Sequence, residues 1–221
     1  MFLETKHMLA SRDITRLRDL AGELNFVDGR ASNPANETKI NQQADPKSPL
    51  YAESSNIVMA ALGASRPFRD FALPKRIAPP MLARYGPGMQ YGAHADSAYV
   101  AVSQGTLRSD VSATVFLSEP DAYEGGELLI HLGTETVKVK GRPGTAIFYP
   151  STTLHQVAPV TKGERLVSVT FIQSLVADEA RRTVLYELSE VSALEGLAMK
   201  WDNRVRLEAV RNNLMRMWAS D

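Results

Sequence analysis

Apolar positions along this chain recur first at helical spacing, then in short alternating runs, then at helical spacing again. Ile14, Leu17, Leu20 and Leu24 lie three or four residues apart behind Ser11 and Asp13. This predicts an amphipathic helix over 11–25, capped by Ser11 and packed on a sheet. The next stretch, GRASNPANETKINQQADPKSP, is polar and broken by Gly, Pro and Asn. It reads as a long surface loop or lid over residues 29–49, with Lys39, Asn41 and Gln42 facing a substrate. A second helix is predicted at 50–63, and the prolines between Phe71 and Pro80 prevent its continuation.

From Met81 to Gln173 the runs are short and rich in β-branched and aromatic residues. Turn signals separate them at Gly86-Pro87-Gly88, Gly125-Gly126, Gly133, Gly141 to Gly144 and Lys162-Gly163. Strands are expected at about 81–85, 91–97, 111–118, 127–131, 135–140, 145–149, 154–160 and 166–173, a set that suits a jelly roll. After Ser174 helical spacing returns, with Val176, Ala180, Val184 and Leu188 on one stripe and Leu194, Leu197, Trp201 and Val205 on another. These helices are expected to brace the barrel or to form a homodimer contact. The predicted architecture is mainly β with flanking helices around a double-stranded β-helix (jelly-roll) core. Residues 1–175 form the main domain, with the β core at 81–173, and residues 176–221 a helical extension.

Composition narrows the chemistry. The 25 basic and 25 acidic side chains cancel, so no net field draws the protein to nucleic acid or to an anionic membrane. Cysteine is absent, which removes disulfides, thiolate nucleophiles and sulfur-ligated metal sites. Any metal must therefore sit on nitrogen and oxygen. The N-terminus has no leader pattern and no apolar run approaches membrane-spanning length, so a cytoplasmic protein is expected.

In YGAHADSA, His94 and Asp96 are two apart, and on an extended strand such side chains project from one face. His155 follows much later, in TTLHQVAPV, at the start of another predicted strand. Two imidazoles and one carboxylate make the facial triad of non-heme iron(II) oxygenases, which leaves coordination positions open for ligands. Ten residues after His155 comes Arg165, in KGERLVSV. Its guanidinium fork matches the far carboxylate of a 2-oxoglutarate chelated at the metal. Each element alone is weak, because HxD arises by chance and a strand histidine is more often a hydrogen-bonded core residue. The ordered set of four carries the reading.

The blocks RYGPGMQYGAHAD, RSDVSATVFLSEPDAYEGGELLI and GTAIFYPSTTLHQVAPVTKGERLVSVTFIQS, with DGRAS and NQQ before them, resemble the PKHD-type hydroxylases, relatives of the prolyl 4-hydroxylases among Fe(II)/2-oxoglutarate oxygenases. The resemblance covers nearly the whole chain. It implies iron at His94, Asp96 and His155, 2-oxoglutarate at Arg165, Tyr85 near the co-substrate, and ascorbate to keep the iron ferrous. On the SATVFLS strand it implies a further hydroxyl for the co-substrate, which Thr114 offers, while position 116 is Phe. The implied reaction hydroxylates a peptide, an amino-acid side chain or a small metabolite with O2, releasing succinate and CO2. Asp96 argues against a halogenase, which would need that coordination position for halide.

Other candidates are set aside. His7 and His131 lack metal-spaced partners, Tyr91 and Tyr149 read as pocket walls, Trp201 and Trp218 as covers between helices, and Gly125-Gly126 as turn chemistry. Two rival readings stay open: a cupin-like metal enzyme that does not use 2-oxoglutarate, which has no need of Arg165, and a non-catalytic 2-oxoglutarate or metal sensing module.

Overall fold

The computed structural model of the chain describes residues 1–220. Two antiparallel sheets carry it. The larger, eight-stranded sheet runs in the order Leu3–Thr5, Ala146–Pro150, Val111–Phe116, Arg165–Ser174, Met81–Tyr85, Gln42–Ala44, Phe26–Asp28, with Pro74–Ile77 paired to the far end of Arg165–Ser174. The smaller sheet has five strands in the order Glu135–Val139, Leu128–Leu132, His155–Val157, Gln90–His94, Lys39–Ile40. Five α-helices flank them: α1 (Ser11–Glu23), α2 (Tyr51–Ala64), α3 (Arg66–Ala72), α4 (Glu179–Glu195) and α5 (Trp201–Trp218).

Alternation along the strands sorts side chains into two cores. Val111, Ala113, Val115, Ala146 and Phe148 face the helices, where they meet Leu17, Leu20, Val58, Leu62 and Phe68. Phe116, Ile147, Tyr149 and Val167 face the opposite way and meet Leu128, Ile130 and Val157 of the smaller sheet. Strands covered on both faces read as near-continuous buried runs, as Val111–Phe116 and Ala146–Pro150 do. The interior between the sheets is where Ser112, Thr114, Tyr149, Tyr85 and Arg165 point by strand parity.

All eight expected strands are present, most within two residues at each end. The strand expected over 91–97 ends at His94, and the one over 154–160 is split into His155–Val157 and Val160–Gly163, the second paired with Tyr123–Gly125. Ser11 does not cap α1. Ala10 holds the cap position without a side-chain bond, and the helix is secured by its buried Leu17, Leu20 and Ala21.

The 29–49 segment is not a free lid. Lys39–Ile40 pairs with Gln90–Tyr91 of the smaller sheet, and Gln42–Ala44 pairs with Met81–Tyr85 of the larger. Edge pairing needs only backbone groups, so polar side chains hid these strands from a hydrophobic pattern. Gln42 turns to Arg84, whose Nε donates to its Oε1 at 2.6 Å, rather than to the barrel interior.

The C-terminal stripes also differ from expectation. The buried face of α4 is Arg182, Leu185 and Ser189, not Ala180, Val184 and Leu188. Arg182 sets that rotation by donating to the carbonyls of Val176, Ala177 and Asp110. The second stripe crosses a break at Gly196, so Leu194 and Trp201 lie on different helices. Leu197 and Trp201 are 96% and 72% exposed, and Trp201 covers nothing, whereas Trp218 packs on the cluster of Leu73, Val176 and Leu185.

Phe148 is fully buried at the meeting of helices and sheet, its ring 4.9 Å from that of Phe68. Phe148→Ala is expected to cost about 3–5 kcal/mol of unfolding free energy by denaturant titration. A loss below about 1 kcal/mol would mean that this core repacks freely.

Candidate functional site

His155 and His94 are direct cross-strand partners in the smaller sheet. That register brings together two imidazoles far apart in sequence, with ring centroids 4.3 Å apart. Asp96 lies just past the end of its strand, where its backbone N–H donates to the carbonyl of Ser151. The pinned backbone brings the carboxylate back between the rings: Oδ1 is 3.7 Å from His94 Nε2 and Oδ2 is 3.7 Å from His155 Nε2. One ligand atom from each residue lies within 4.8 Å of the others. Among the described residues this is the only grouping of three or more potential metal-ligating side chains, and neither His7 nor His131 joins it.

Both histidines are oriented by the backbone. His94 Nδ1 is 2.8 Å from the carbonyl of Gly92, and His155 Nδ1 is 2.9 Å from that of Thr153. A carbonyl can only accept, so each Nδ1 carries the proton and each Nε2 presents a lone pair toward Asp96. A chain of hydroxyls holds the carboxylate. Ser112 Oγ donates to Asp96 Oδ2 at 2.5 Å, Ser151 lies 2.7 Å behind it, and Ser109 donates to Ser151 at 2.8 Å. The sequence reading missed these serines, although Ser112 alternates with buried apolar neighbours in VSATVF and Ser151 precedes His155 in STTLH.

Aromatic rings wall the site. Tyr91 stacks on His94 with centroids 3.6 Å apart, and Tyr149 leans on His155 at 4.8 Å. Burial pushes the Tyr149 phenol well above its ordinary range, with the Asp96 charge acting the same way. Tyr91 is pushed up to about 12, again chiefly by burial. Both stay protonated, so they supply surface and hydrogen bonds rather than charge.

Deeper in the same interior lies Arg165, 1% exposed, opposite Tyr85 in register. Its guanidinium carbon lies 5.0 Å from the Tyr85 ring and 5.6 Å from that of Phe116. Its Nε is buried without a hydrogen-bond partner, and among the described residues no carboxylate comes within 4.0 Å. Gly126 makes room for it. With φ at +67°, this glycine sits where a Cβ would stand 3.2 Å from Arg165 Cδ and 2.9 Å from Val160. Gly125-Gly126, read from sequence as turn chemistry alone, therefore also clears space beside the buried arginine. Tyr85 and Thr114 are both buried in this interior, with Asn41 at the Tyr85 hydroxyl and Thr114 at that of Tyr149.

Lys39 stands over the Tyr91 ring. It is 7% exposed, its Nζ is 5.1 Å from the ring centroid, and it donates to Ser32 Oγ at 2.6 Å. Burial lowers its pKa to about 8, with the Asp96 charge pulling against that shift.

An antiparallel two-sheet barrel with two imidazoles and a carboxylate inside, and a lone buried guanidinium behind them, is the arrangement expected of a non-heme metal oxygenase. Residues 80–173 match the 2OG-Fe(II) oxygenase superfamily model. A PKHD-type hydroxylase of Sphingopyxis alaskensis is 48% identical over 211 residues, covering 96% of each chain. Another, from Shewanella sp., is 37% identical over 224 residues and 99% of each. The chain belongs to the PKHD-type hydroxylases of the 2OG-Fe(II) oxygenase superfamily and is a dioxygenase. The fold is that of solved oxygenases. A prolyl hydroxylase from Trichoplax adhaerens superposes with TM-score 0.59 at 16% identity, covering 83% of this chain and 86% of that one. A Pseudomonas putida prolyl-4-hydroxylase gives 0.53 at 20% identity, covering 78% and 92%. No helix among the described residues is long and apolar enough to cross a membrane.

Burial, and the repulsion that would arise between the two imidazoles if both were protonated, depress the pKa of His94 below its ordinary 6.5. The unfolded chain therefore takes up this proton first as pH falls, and folded stability falls with it. Urea titration of the metal-free protein is expected to show stability dropping as pH passes below about 6.5, with a shallower drop in His94→Gln. Equal slopes in the two proteins would assign the acid sensitivity to other groups.

Proposed function

We propose that His94, Asp96 and His155 hold Fe(II), that Arg165 holds the distal carboxylate of 2-oxoglutarate, and that the protein hydroxylates a peptide, amino-acid side chain or small metabolite. The observation that carries this reading is Arg165. A fully buried guanidinium with no acid beside it is costly unless a ligand brings the counter-charge. The donor set suits iron: two imidazole nitrogens and one carboxylate oxygen converge, a set that leaves coordination positions on the metal for further ligands.

With Fe(II), 2-oxoglutarate and O2 bound, the metal supplies an oxidation in which 2-oxoglutarate becomes succinate and CO2 and a substrate C–H becomes C–OH. The protein's own part is geometric and electrostatic. Gly92 and Thr153 carbonyls fix the imidazole tautomers, Ser112 fixes the carboxylate, and Tyr91 and Tyr149 exclude water from the rings. Arg165 sets the depth and direction of the co-substrate by charge and fork geometry. Tyr85 and Thr114 line its site, Tyr85 from the strand opposite Arg165 and Thr114 through its contact with Tyr149. Ascorbate would keep the iron ferrous, in a cytoplasmic enzyme. We divide the chain into a dioxygenase domain over 1–175 and a helical extension over 176–221. The exposed Leu194, Leu197 and Trp201 of that extension support a homodimer contact. The lone guanidinium disfavours a cupin-like enzyme, which has no use for it.

Anaerobic addition of Fe(II) and 2-oxoglutarate to the metal-free protein is expected to produce the weak visible charge-transfer band of a chelated 2-oxo acid. His94→Ala should lose it. A folded wild-type protein that binds Fe(II) but shows no band would rule out the co-substrate assignment. Arg165→Ala should weaken 2-oxoglutarate binding by about 1.5–3 kcal/mol, roughly ten- to a hundredfold, with Fe(II) affinity unchanged. An unaltered 2-oxoglutarate titration would remove Arg165 from the site.

A further inference from the structure

The metal and co-substrate assignments leave one buried charge unexplained. Lys39 stands near the metal triad, its Nζ over the Tyr91 ring that stacks on His94. It is buried, at 7% exposure. Among the described residues no carboxylate lies within 4.0 Å of its Nζ. Two acids are near enough to influence it, Asp96 and Asp28, and both are committed. Asp28 accepts from the backbone N–H, Nε and Nη2 of Arg30. Asp96 accepts from Ser112 and, on the reading above, binds the metal. An ammonium has three donors, and one of them goes to Ser32 Oγ.

The position is built. Lys39 is the register partner of Tyr91, so both side chains stand on one face of the smaller sheet. Its segment is pressed onto the strand that carries His94, because a Cβ on Gly92 would stand 2.5 Å from Thr38 Oγ1. Only glycine admits that approach. Around the ammonium stand neutral polar groups: Ser32 bonds to Gln43 Oε1, and Asn33 Nδ2 donates to the Tyr91 hydroxyl. This is a polar wall with one charge in it, on the sheet opposite the one that carries Arg165.

Charge balance names the occupant's chemistry. Fe(II), Arg165 and Lys39 bring positive charge; Asp96 and the two carboxylates of 2-oxoglutarate answer all but one unit of it. The remainder is matched by one negative charge, which a carboxylate carries and a phosphate dianion would exceed. We propose that Lys39, with Ser32 and Asn33 beside it, forms an anion subsite for the primary substrate, and that this substrate presents a single carboxylate to it while its reacting C–H faces the metal. The proposal rests on the Fe(II)/2-oxoglutarate reading of the same interior.

The test uses the full-length protein loaded anaerobically with Fe(II) and 2-oxoglutarate. N-acetylglycine and its neutral amide, probes of similar shape that differ in charge, are titrated in by calorimetry while the charge-transfer band is followed. Wild type is expected to bind the acid at least about tenfold more tightly than the amide, with the band retained. Lys39→Met should abolish that preference, Lys39→Arg should keep most of it, and both should bind 2-oxoglutarate as wild type does. Equal affinity for acid and amide, or no binding of either, overturns the subsite. Weakened 2-oxoglutarate binding in Lys39→Met also overturns it, by placing the lysine with the co-substrate. Failure of the wild type to form the band is seen before any probe is added, and sinks the iron and co-substrate reading together with the proposal built on it.

Discussion

Arg165 is a cation sealed inside a barrel with aromatic rings where counter-charges would stand. Removing a guanidinium from water costs several kcal/mol, and the side chains around it do not return that cost: the Tyr85 and Phe116 rings offer cation–π contacts, and its Nε has no partner. The surrounding architecture holds the side chain in place. It sits on the central strand Arg165–Ser174, flanked in the sheet by Val111–Phe116 and Met81–Tyr85, and Gly126 vacates the space its stem occupies. A sheet covered on both faces gives such a residue no route to solvent. On the proposed reading, the arrangement gives up stability so that the carboxylate of 2-oxoglutarate would bind strongly in a medium of low dielectric.

The metal triad depends on the opposite sheet, and its logic is register rather than burial. His155 faces His94 because two strands pair at that position and no other. A slip of one residue would turn one imidazole to the other face. Asp96 is held by different means, since it follows the strand end and relies on Ser151's carbonyl and the Ser112 hydroxyl. Two kinds of support thus converge on one point. The hydroxyl chain from Ser109 through Ser151 to Ser112 links the carboxylate to strands of the larger sheet, so both sheets must be in place before the three ligand atoms meet.

The segment from Gly29 to Ala44 joins the edge of the smaller sheet to the last strand but one of the larger, and this changes its functional meaning. A free lid would pay ordering entropy on each substrate encounter. A pinned edge holds Lys39, Ser32 and Asn33 already arranged, which in the proposed subsite would lower the cost of binding and give selectivity for charge. The exposed Leu194, Leu197 and Trp201 lie in the C-terminal helices, which pack on α3 and the end of the barrel through α4. Their chemistry is separate from that of the site.

Much of this protein is legible in its sequence, for a physical reason. The strands from Met81 onward announce themselves through β-branched residues and glycine turns, and Met81–Tyr85 falls where the pattern puts it. The four residue types at His94, Asp96, His155 and Arg165 are chemically unusual inside a barrel, so their order alone points to a metal and a carboxylate ligand. What the linear chain could not reveal is whatever depends on partners distant in sequence. The Lys39–Ile40 and Gln42–Ala44 strands form because neighbouring strands offer them backbone bonds, the first at the edge of the smaller sheet and the second between Met81–Tyr85 and Phe26–Asp28 of the larger, not because of their side chains. Ser112 holds Asp96 only because their segments meet in space. Trp201 lies exposed at the start of a helix that begins after the break at Gly196, a break that interrupts the apolar spacing read from the sequence. Composition and periodicity determine which elements form and which chemistry is available; tertiary structure decides which groups meet, since burial and charge compensation are properties of neighbours.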